Sequence, residues 1–312
     1  MTKRAFVFPG QGSQHVGMGK ALAEAFAPAR AVFEEVDEAL GQDLSALIFE
    51  GPEDELTLTE NAQPALLAVS LAVIRTLKED GGFDLADGAA FVAGHSLGEY
   101  SGLAAAGAFS LADAARLLKA RGQAMQRAAP VGEGAMAAVL GLEIEAVEEV
   151  AAQVDGICAI ANDNSPGQVV VSGERAAVEA AAEAAREKGA KRCLMLPVSA
   201  PFHCPMMAPA AEVMREALAD ADISPPSVPL VANVSASAVS EPGEIRRLLV
   251  EQVTGRVRWR ESVLYMRDRG VGEMVEAGPG KVLSGLARRI DRDLSSINIA
   301  TPEDMEEFLK TV

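Results

Sequence analysis

Residues 94–98 read Gly-His-Ser-Leu-Gly, a pattern that can carry a nucleophilic serine. The apolar residues 89–93 before it suit a buried strand, and residues 97–106 after it suit a helix. A serine between strand and helix lies on a sharp turn, with its hydroxyl exposed and the helix amides behind it. The pattern can also arise by chance as a plain packing turn in a chain rich in alanine and glycine. The flanking elements favour Ser96 as a nucleophile.

A nucleophilic serine needs a base, and the chain contains only three histidines. His95 adjoins the serine in the chain, so its side chain is predicted to point away and to pack with a hydrogen-bonded ring. His15 follows the first glycine turn, where a structural or solvent-exposed role is favoured over a place in the cleft. His203 lies in a loop that Pro201 and Pro205 restrict on both sides. We therefore predict that His203 is the base.

An acid that would orient the imidazole is not evident. Ordinary α/β-hydrolases supply that acid between the serine and the histidine in the chain. The candidates there, Asp155 and Asp163, fall within a segment that the element pattern assigns to a separate small domain. Two alternatives stay open: a carboxylate from elsewhere, or a backbone carbonyl that holds the imidazole N–H.

The negative charge that develops on an attacked carbonyl needs N–H donors. The amide of Leu97 follows the serine directly, and the loop around Gln11 could supply a second amide. That loop is not a dinucleotide fingerprint, because His15 stands where G-x-G-x-x-G requires glycine, so NAD binding is not expected. Arg121 could bind a carboxylate through paired hydrogen bonds, although spacing alone favours a surface ion pair.

Strands alternate with helices in the outer parts of the chain, which predicts a mainly parallel sheet covered on both faces. We predict a large α/β-hydrolase-like domain from residues 1–129 and 199–312. Its predicted strands are 4–8, 89–93, 230–234 and 272–276, and its predicted helices are 19–40, 65–80 with Pro64 in the first turn, 97–106, 111–129, 244–253 and 281–290. The last helix is predicted to begin at Thr301 and Pro302, with Thr301 as the cap.

The middle of the chain has a different order of elements. Residues 130–198 read strand, helix, strand, strand, helix, strand, with a turn at 162–167 between the two central strands. This β-α-β-β-α-β order is the ferredoxin-like motif. We predict a small inserted domain at 130–198 and a ligand cleft between the two domains.

The chain has 312 residues and a formal net charge of −17, which argues against a general nucleic-acid binder. Residues 246–292 depart from this balance, since they hold eleven Lys or Arg and six Asp or Glu. That segment is either a set of solvated charges or a basic patch for an acidic partner. The three cysteines suggest reduced thiols, and no apolar run is long enough for a membrane helix. A soluble, cytoplasmic protein is expected.

Several motifs occur in an order that resembles one family. They are 9–14 (PGQGSQ), 63–65 (QPA), 94–100 (GHSLGEY), 161–168 (ANDNSPGQ), 201–203 (PFH), 257–259 (VRW) and 276–281 (EAGPGK). Together they resemble the malonyl-CoA:acyl carrier protein transacylases of bacterial fatty acid synthesis. The resemblance covers essentially the whole chain.

The resemblance implies a role for each matching residue. Ser96 would be the acylated serine, His203 its base, and the Gln11 and Leu97 amides the oxyanion donors. Arg121 would bind the malonyl carboxylate, which outweighs the surface ion pair that spacing alone favours. A further implied role is that of Gln252, whose main-chain carbonyl would orient the histidine in place of the missing acid.

The implied reaction transfers malonyl from malonyl-CoA to the phosphopantetheine thiol of acyl carrier protein through a malonyl-serine ester. It uses no cofactor or metal, because the coenzyme A thioester is itself the substrate. Acyl carrier proteins are acidic, so segment 246–292 is the expected docking surface. Two rival functions are a serine hydrolase that releases the acid to water and a non-enzymatic scaffold that only binds carrier protein.

Overall fold

The computed structural model describes residues 2–130 and 132–312. Its strands are β1 (Lys3–Phe8), β2 (Phe91–Gly94), β3 (Gly134–Leu140), β4 (Cys158–Ser165), β5 (Gln168–Glu174), β6 (Arg192–Met195), β7 (Leu230–Ala232), β8 (Ser237–Val239), β9 (Val271–Ala277) and β10 (Ser295–Ile299). The strands form two sheets, one of six strands and one of four.

The helices cover both sheets. They are α1 (Lys20–Ala25), α2 (Ala27–Leu40), α3 (Leu44–Glu50), α4 (Glu53–Thr57), α5 (Thr59–Glu79), α6 (Leu85–Gly88), α7 (Gly98–Ala105), α8 (Leu111–Ala128), α9 (Ile144–Gln153), α10 (Arg175–Glu187), α11 (Ala208–Ala219), α12 (Pro242–Gln252), α13 (Trp259–Arg267), α14 (Val282–Ile290) and α15 (Pro302–Leu309). A short 3-10 turn at Pro205–Met207 precedes α11. Among the described residues, none of these helices is long and apolar enough to cross a membrane.

The six-stranded sheet has the order β10-β9-β1-β2-β7-β8 and is parallel except for β8, which runs antiparallel to β7. Successive residues of β1 point to opposite faces, and both faces are buried. Phe6 and Phe8 belong to the core that includes α2, α5 and α8, whereas Ala5 and Val7 pack into the core that includes α13 and α14. The mainly parallel sheet predicted from the alternating pattern is confirmed, and its burial on both faces explains the continuous apolar sequence of β1.

The four-stranded sheet is antiparallel, with the order β4-β5-β3-β6. All of its strands and both of its helices, α9 and α10, come from residues 134–195. One face packs on these helices in a separate core that includes Ala137, Val139 and Val171. This arrangement is the predicted ferredoxin-like order of elements. The domain boundaries themselves stay a prediction, and Met1 and Val131, which the predicted ranges include, lie outside the described residues.

Polar contacts tie strand β4 of the small sheet to the start of α13 and the residues just before it. The Asp163 N–H donates to the Val257 carbonyl at 2.9 Å, and the Val257 N–H donates to the Ala161 carbonyl at 2.8 Å. The Asp163 carboxylate, which is 1% exposed, accepts hydrogen bonds from Arg260 Nε at 2.9 and 3.1 Å. These contacts place one edge of the small sheet at a defined position against the larger core.

Two predicted helices differ from the structure because of proline. The single helix predicted at 19–40 is wrong, since Phe26 is extended and a second helix begins at Ala27 with Pro28 in its first turn. Within one continuous helix, Pro28 would have cost an interior hydrogen bond. The predicted start of helix 65–80 is also wrong, because α5 begins at Thr59 and Pro64 lies inside it. Burial of the preceding residues, among them Gln63, stabilises the extra turns and offsets the lost bond.

Other differences concern the ends of strands and elements without a strong pattern. The turn predicted at 162–167 is shorter, because β4 continues to Ser165. Helices α3, α4, α6, α11 and α13 and strands β8 and β10 were not predicted. The C-terminal helix begins as predicted: Thr301 caps Asp304 in a capping box, with Pro302 in the first turn.

Candidate active site

Ser96 lies on the turn between β2 and α7, with a positive φ of 54°. Left-handed backbone at a residue other than glycine is strained and is often found at functional sites. The neighbouring glycines make this turn possible. A Cβ on Gly94 would lie 1.8 Å from the Gly98 carbonyl carbon, and a Cβ on Gly98 would lie 2.3 Å from the Phe8 oxygen. The strand–turn–helix geometry predicted around Ser96 is therefore present.

Asn233, at the carboxyl end of β7, holds this turn from the neighbouring strand. Its side chain accepts the Ser96 N–H at 2.8 Å and donates to the Gly94 carbonyl at 2.7 Å. The residue is fully buried. Sequence reasoning missed Asn233, and the one available signal was a polar residue near the end of the predicted strand 230–234.

His203 lies beside the serine in hydrogen-bond geometry. Ser96 Oγ is 2.8 Å from His203 Nε2, and His203 Nδ1 is 2.8 Å from the Gln252 carbonyl and 3.1 Å from the Gly255 carbonyl. Because carbonyl oxygens only accept, Nδ1 carries the proton and Nε2 is free to accept from the serine. His203 also has a positive φ, of 57°.

The imidazole is neutral near pH 7. Burial, assisted by the positive charge of Arg121, lowers the pKa of His203 to about 3. No Asp or Glu hydrogen-bonds to this ring among the described residues. Asp155 is exposed on the small-sheet region, and Asp163 pairs with Arg260. Of the two alternatives that the sequence left open, the structure therefore has the backbone carbonyl.

Two residues of the Ser96 cavity have main-chain amides that could serve as donors. Within the described parts of the chain, the main-chain N–H groups of Leu97 and Gln11 make no hydrogen bond. Both residues line the cavity that contains Ser96. The Gln11 side chain is bonded to Thr59 Oγ1 at 3.2 Å, which restrains its loop. A pair of free amides beside a nucleophile can stabilise an oxyanion.

Arg121 reaches the site from the middle of α8 and is 1% exposed. Its Nη2 donates to Ser96 Oγ at 3.1 Å, and its Nη1 donates to Gln63 Oε1 at 2.8 Å. The surface ion pair that spacing favoured is wrong. Helix α8 approaches α5 closely at Gly122, where a Cβ would lie 2.6 Å from the Thr59 oxygen, and this contact carries the preceding arginine into the interior.

The charge of Arg121 is not directly neutralised. Its acceptors are neutral oxygens, it makes no ion pair within the described residues, and its buried Nε has no partner there. Burial lowers its pKa, whereas Tyr100 and Glu99 act in the opposite direction. A guanidinium stays protonated under ordinary conditions, so the site contains a buried cation with a free donor.

Gln252 forms hydrogen bonds with both His203 and Arg121. Its main-chain carbonyl accepts from His203, while its side-chain Oε1 accepts from Arg121 Nη2 at 2.8 Å. Its Nε2 donates to the Ser96 carbonyl at 2.9 Å and to Glu99 Oε2 at 2.6 Å. The side-chain contacts of Gln252 and the part played by Glu99 were not predicted from the sequence.

The serine opens into a cavity of about 350 Å³ between the two sheets. The large-sheet side contributes the polar groups described above. The small-sheet side contributes Met136, Asn162 and the segment 196–198, and Phe202 completes the wall. A cleft between the two predicted domains is thus present, and its mostly apolar wall would limit the access of water.

The other two histidines lie apart from the chemistry. His95 points away from the hydroxyl, and its Nε2 is 2.8 Å from Asn164 Oδ1 of the small sheet. Burial lowers its pKa. His15 is exposed, with Nδ1 3.4 Å from the Ser13 carbonyl, and does not line the cavity.

Fold and site together define a class of protein: an α/β-hydrolase-like fold whose cavity holds a hydrogen-bonded Ser–His pair beside a buried arginine. The particular family follows from comparison. The family model described as acyl transferase domain matches residues 5–301, and the chain belongs to that family.

Relatives within this family are similar over their whole length. The chain is 49% identical to a malonyl CoA-acyl carrier protein transacylase of Bacillus subtilis, covering 100% of this chain and 98% of the relative. It is 45% identical to the Escherichia coli K12 protein of the same name, covering 99% and 100%. The crystal structure of an acyl-carrier-protein-S-malonyltransferase from Bartonella henselae superposes with a TM-score of 0.97 at 56% identity, covering 99% of each chain.

A further solved structure contains a partner. It is a malonyl-transacylase in complex with a type II PKS acyl-carrier protein, with a TM-score of 0.96, 42% identity and full coverage of both chains. In that protein, therefore, the same fold binds a carrier protein.

Proposed function

We propose that this protein transfers the malonyl group from malonyl-CoA to the phosphopantetheine thiol of acyl carrier protein, through a malonyl ester of Ser96. The observation that carries the proposal is Arg121, a buried cation with a free donor next to a nucleophilic serine. A substrate carboxylate would supply the counter-charge that the cation lacks. A neutral acyl group would leave that charge uncompensated.

The first half-reaction forms the ester. His203 Nε2 accepts the Ser96 hydroxyl proton while Oγ bonds to the thioester carbon. The oxyanion accepts hydrogen bonds from the Leu97 and Gln11 amides. When the carbon–sulfur bond breaks, the coenzyme A sulfur leaves with the proton from Nε2. The Gln252 carbonyl keeps the imidazole oriented throughout.

The second half-reaction runs the same steps with a new thiol. The carrier protein thiol gives its proton to His203 Nε2, and its sulfur attacks the ester carbon. The same amides hold the oxyanion. The ester bond then breaks, and Ser96 Oγ recovers the proton. The reaction needs no cofactor or metal. Malonyl-CoA and malonyl-acyl carrier protein are both thioesters, which are already activated, and the nucleophile belongs to the chain.

Intact-mass analysis tests the proposal against hydrolysis. After mixing with malonyl-CoA, we expect a malonyl adduct on Ser96 that persists in water and disappears when holo acyl carrier protein is added. An adduct lost equally fast without carrier protein would indicate a hydrolase. Absence of any adduct, with binding of carrier protein retained, would indicate a scaffold.

The Arg121→Ala variant should affect malonyl transfer and acetyl transfer differently. Malonyl transfer should fall by about 10²-fold or more, because a buried charge-paired contact of about 3 kcal/mol is lost, whereas acetyl transfer is spared. Arg116→Ala is a matched control, since Arg116 lies on the same helix and is exposed. An equal loss for malonyl and acetyl would contradict the assignment of the carboxylate to Arg121.

The carrier protein docks, in this proposal, on the basic segment 246–292. Part of that segment is already paired: Arg247 contacts Glu244 and Glu251, and Arg267 contacts Asp268 and Asp291. On the exposed face of α14, Lys281 and Arg288 have no ion pair among the described residues, and Arg289 donates to Gln168. Helix α14 is therefore the part of the segment most available to an acidic partner.

The position of α14 supports this role. It begins beside the loop that carries Gln11, because a Cβ on Gly280 would lie 3.3 Å from Ser13 Cβ. It reaches the small sheet through Arg289 and Gln168. A carrier protein bound along α14 would lie across the junction of the two sheets, where the cavity is located.

Charge removal on α14 tests the docking surface. A double variant with Arg288→Ala and Arg289→Ala should raise the KM for acyl carrier protein by about 3- to 30-fold at low salt and leave the KM for malonyl-CoA unchanged. Arg247→Ala, in the same segment but paired, is the control. Equal KM values in all variants, with no salt dependence, would contradict docking on this segment.

We also propose a cytoplasmic location. Cys158, Cys193 and Cys204 are free thiols in the structure, which suits a reducing compartment.

A further inference from the structure

Glu99 is a buried carboxyl group that does not touch the proposed reacting atoms. It is 1% exposed and lies in the first turn of α7, three residues after the nucleophile. Its Oε1 accepts the main-chain N–H of Asn233, and its Oε2 accepts from Gln252 Nε2 at 2.6 Å. A buried carboxyl group is costly unless its oxygens are bonded, so its presence beside the site requires an explanation.

The contacts of Glu99 continue to the arginine. Arg121 Nη2 donates to Gln252 Oε1 at 2.8 Å, and the other end of the same amide donates to Glu99. The cation and the carboxyl group are thus joined through one amide, not in direct contact. Because the amide oxygen faces the cation and its NH₂ faces the carboxyl oxygen, the two hydrogen bonds strengthen each other and allow only one orientation.

This series of hydrogen bonds ends at Glu99, which is held by a main-chain N–H group. The N–H of Asn233 belongs to the main chain at the end of β7 and cannot reverse, and the Asn233 side chain holds the Ser96 turn. The Gln252 NH₂ also donates to the Ser96 carbonyl. Glu99 and the Ser96 carbonyl therefore both hold the Gln252 amide in the orientation that turns its oxygen toward the guanidinium.

We propose that Glu99 is a positioning residue that sets the selectivity of the site for carboxylated acyl groups by orienting Gln252 and, through it, Arg121. The inference rests on the proposed function, in which malonyl is the acyl group. An indirect connection has a specific advantage here. A carboxylate in direct contact with Arg121 would compete with the substrate carboxylate, whereas the neutral amide holds the guanidinium in place and leaves donors free.

Glu99→Gln tests this inference with almost no change of shape. The fixed Asn233 N–H would take the one remaining oxygen, so the new NH₂ would face the NH₂ of Gln252. Two donors cannot bond, and a reversed Gln252 amide would turn its own NH₂ toward the guanidinium. We expect the ratio of kcat/KM for malonyl-CoA to that for acetyl-CoA to fall by about 10- to 100-fold, the effect of one lost hydrogen bond to a charged group.

Glu276→Gln is the matched control. Glu276 is also fully buried, and its oxygens accept from the Leu283 and Ser284 N–H groups and the Ser284 hydroxyl at the start of α14. It has no contact with Arg121. This variant should lose stability while the malonyl-to-acetyl ratio stays within about 2-fold of wild type, which separates positioning from a general loss of stability.

A second variant tests the same inference if the Glu99→Gln protein does not fold. Gln252→Met keeps the main-chain carbonyl that holds His203 and removes the amide, so the ratio of kcat/KM for malonyl-CoA to that for acetyl-CoA should fall, whatever loss of acetyl transfer follows from the missing contact with the Ser96 carbonyl. Suppose that wild type forms the malonyl ester but that every folded variant among Glu99→Gln and Gln252→Met keeps the wild-type malonyl-to-acetyl ratio. The inference about Glu99 is then overturned, and the proposed function stands. If wild type forms no malonyl ester, the proposed function is overturned together with the inference.

Discussion

The two walls of the cleft are built differently. On the large-sheet wall, each chemical group is held by buried hydrogen bonds: His203 by two carbonyls, Arg121 by two glutamines, and the Ser96 turn by Asn233. The small-sheet wall contributes mainly apolar surface, such as Met136, and is attached through strand β4 to the segment before α13.

This difference separates two tasks. Polar groups that must meet developing charge are preorganised in one rigid unit, where orientation costs nothing at the moment of reaction. The opposite wall shapes the cavity and limits water, which requires bulk but no exact hydrogen-bond direction. We therefore expect substitutions in the first wall to change the chemical step, and substitutions in the second to change stability, KM or acyl size preference.

The largest effect should come from Ser96→Ala. Removal of the nucleophile should abolish the malonyl adduct and lower transfer by at least about 10³-fold, with little change in melting temperature. Intact mass and a coupled transfer assay would measure both. Ser101→Ala, a buried serine on the helix that follows the Ser96 turn, is the control. Residual ester on the Ser96 variant would assign the nucleophile to another residue.

The pH dependence should reveal the electrostatics of the same wall. Because burial lowers the pKa of His203 to about 3, the base stays neutral well below pH 6.5. Formation of the malonyl ester should therefore keep its neutral-pH rate down to pH 5, measured by rapid quench and mass spectrometry. A base with an ordinary pKa of about 6.5 would already be slower by about 30-fold at pH 5, and that result would contradict the burial argument.

The same lowered pKa has a consequence for stability. Between the folded pKa of about 3 and the unfolded value of about 6.5, the unfolded chain binds the proton and the folded chain does not. This group's contribution therefore decreases as pH falls below 6.5. Chemical denaturation at pH 7 and pH 5, with His203→Gln as reference, would show a smaller pH-dependent loss in the variant.

Asp163→Asn should affect the attachment of the small-sheet wall. Loss of the charged contact with Arg260 should lower the free energy of unfolding by about 1–3 kcal/mol, while kcat changes less than about 3-fold. Denaturant titration would measure the first and steady-state kinetics the second. Glu183→Gln, which breaks an exposed pair with Arg186 on α10, should cost less than about 0.5 kcal/mol. A large loss of kcat in Asp163→Asn would show that this attachment also serves the chemistry.

Met136→Ala should change the acyl size preference modestly. Its side chain lines the cavity from β3, so truncation should widen the acyl pocket. We expect the kcat/KM ratio of methylmalonyl-CoA to malonyl-CoA to rise by about 3- to 10-fold, in line with the modest selectivity of apolar pockets. An unchanged ratio would place the size limit elsewhere, and Phe202 is then the next residue to truncate.

Much of the fold follows from local pattern. The parallel sheet, the order of elements in the small sheet and the cap of α15 all depend on residues close together in the chain, where periodicity, proline and capping side chains act directly. The failures were also local: a helix predicted through Pro28 and a helix start placed at Pro64. In the second case tertiary burial outweighed the preference of proline for a first turn.

The sequence by itself determined the strand–turn–helix around Ser96 and, because histidines are so few, the histidine that pairs with it. It also contained the motifs that resemble one acyltransferase family. Only the tertiary structure decided how these groups are held: Arg121 buried without a counter-ion, a carbonyl in place of an acid behind His203, and Glu99 connected to the cation through Gln252. These contacts join residues that are 25 to 156 positions apart. Their hydrogen-bond directions depend on how helices and strand ends meet in space, which no local pattern encodes.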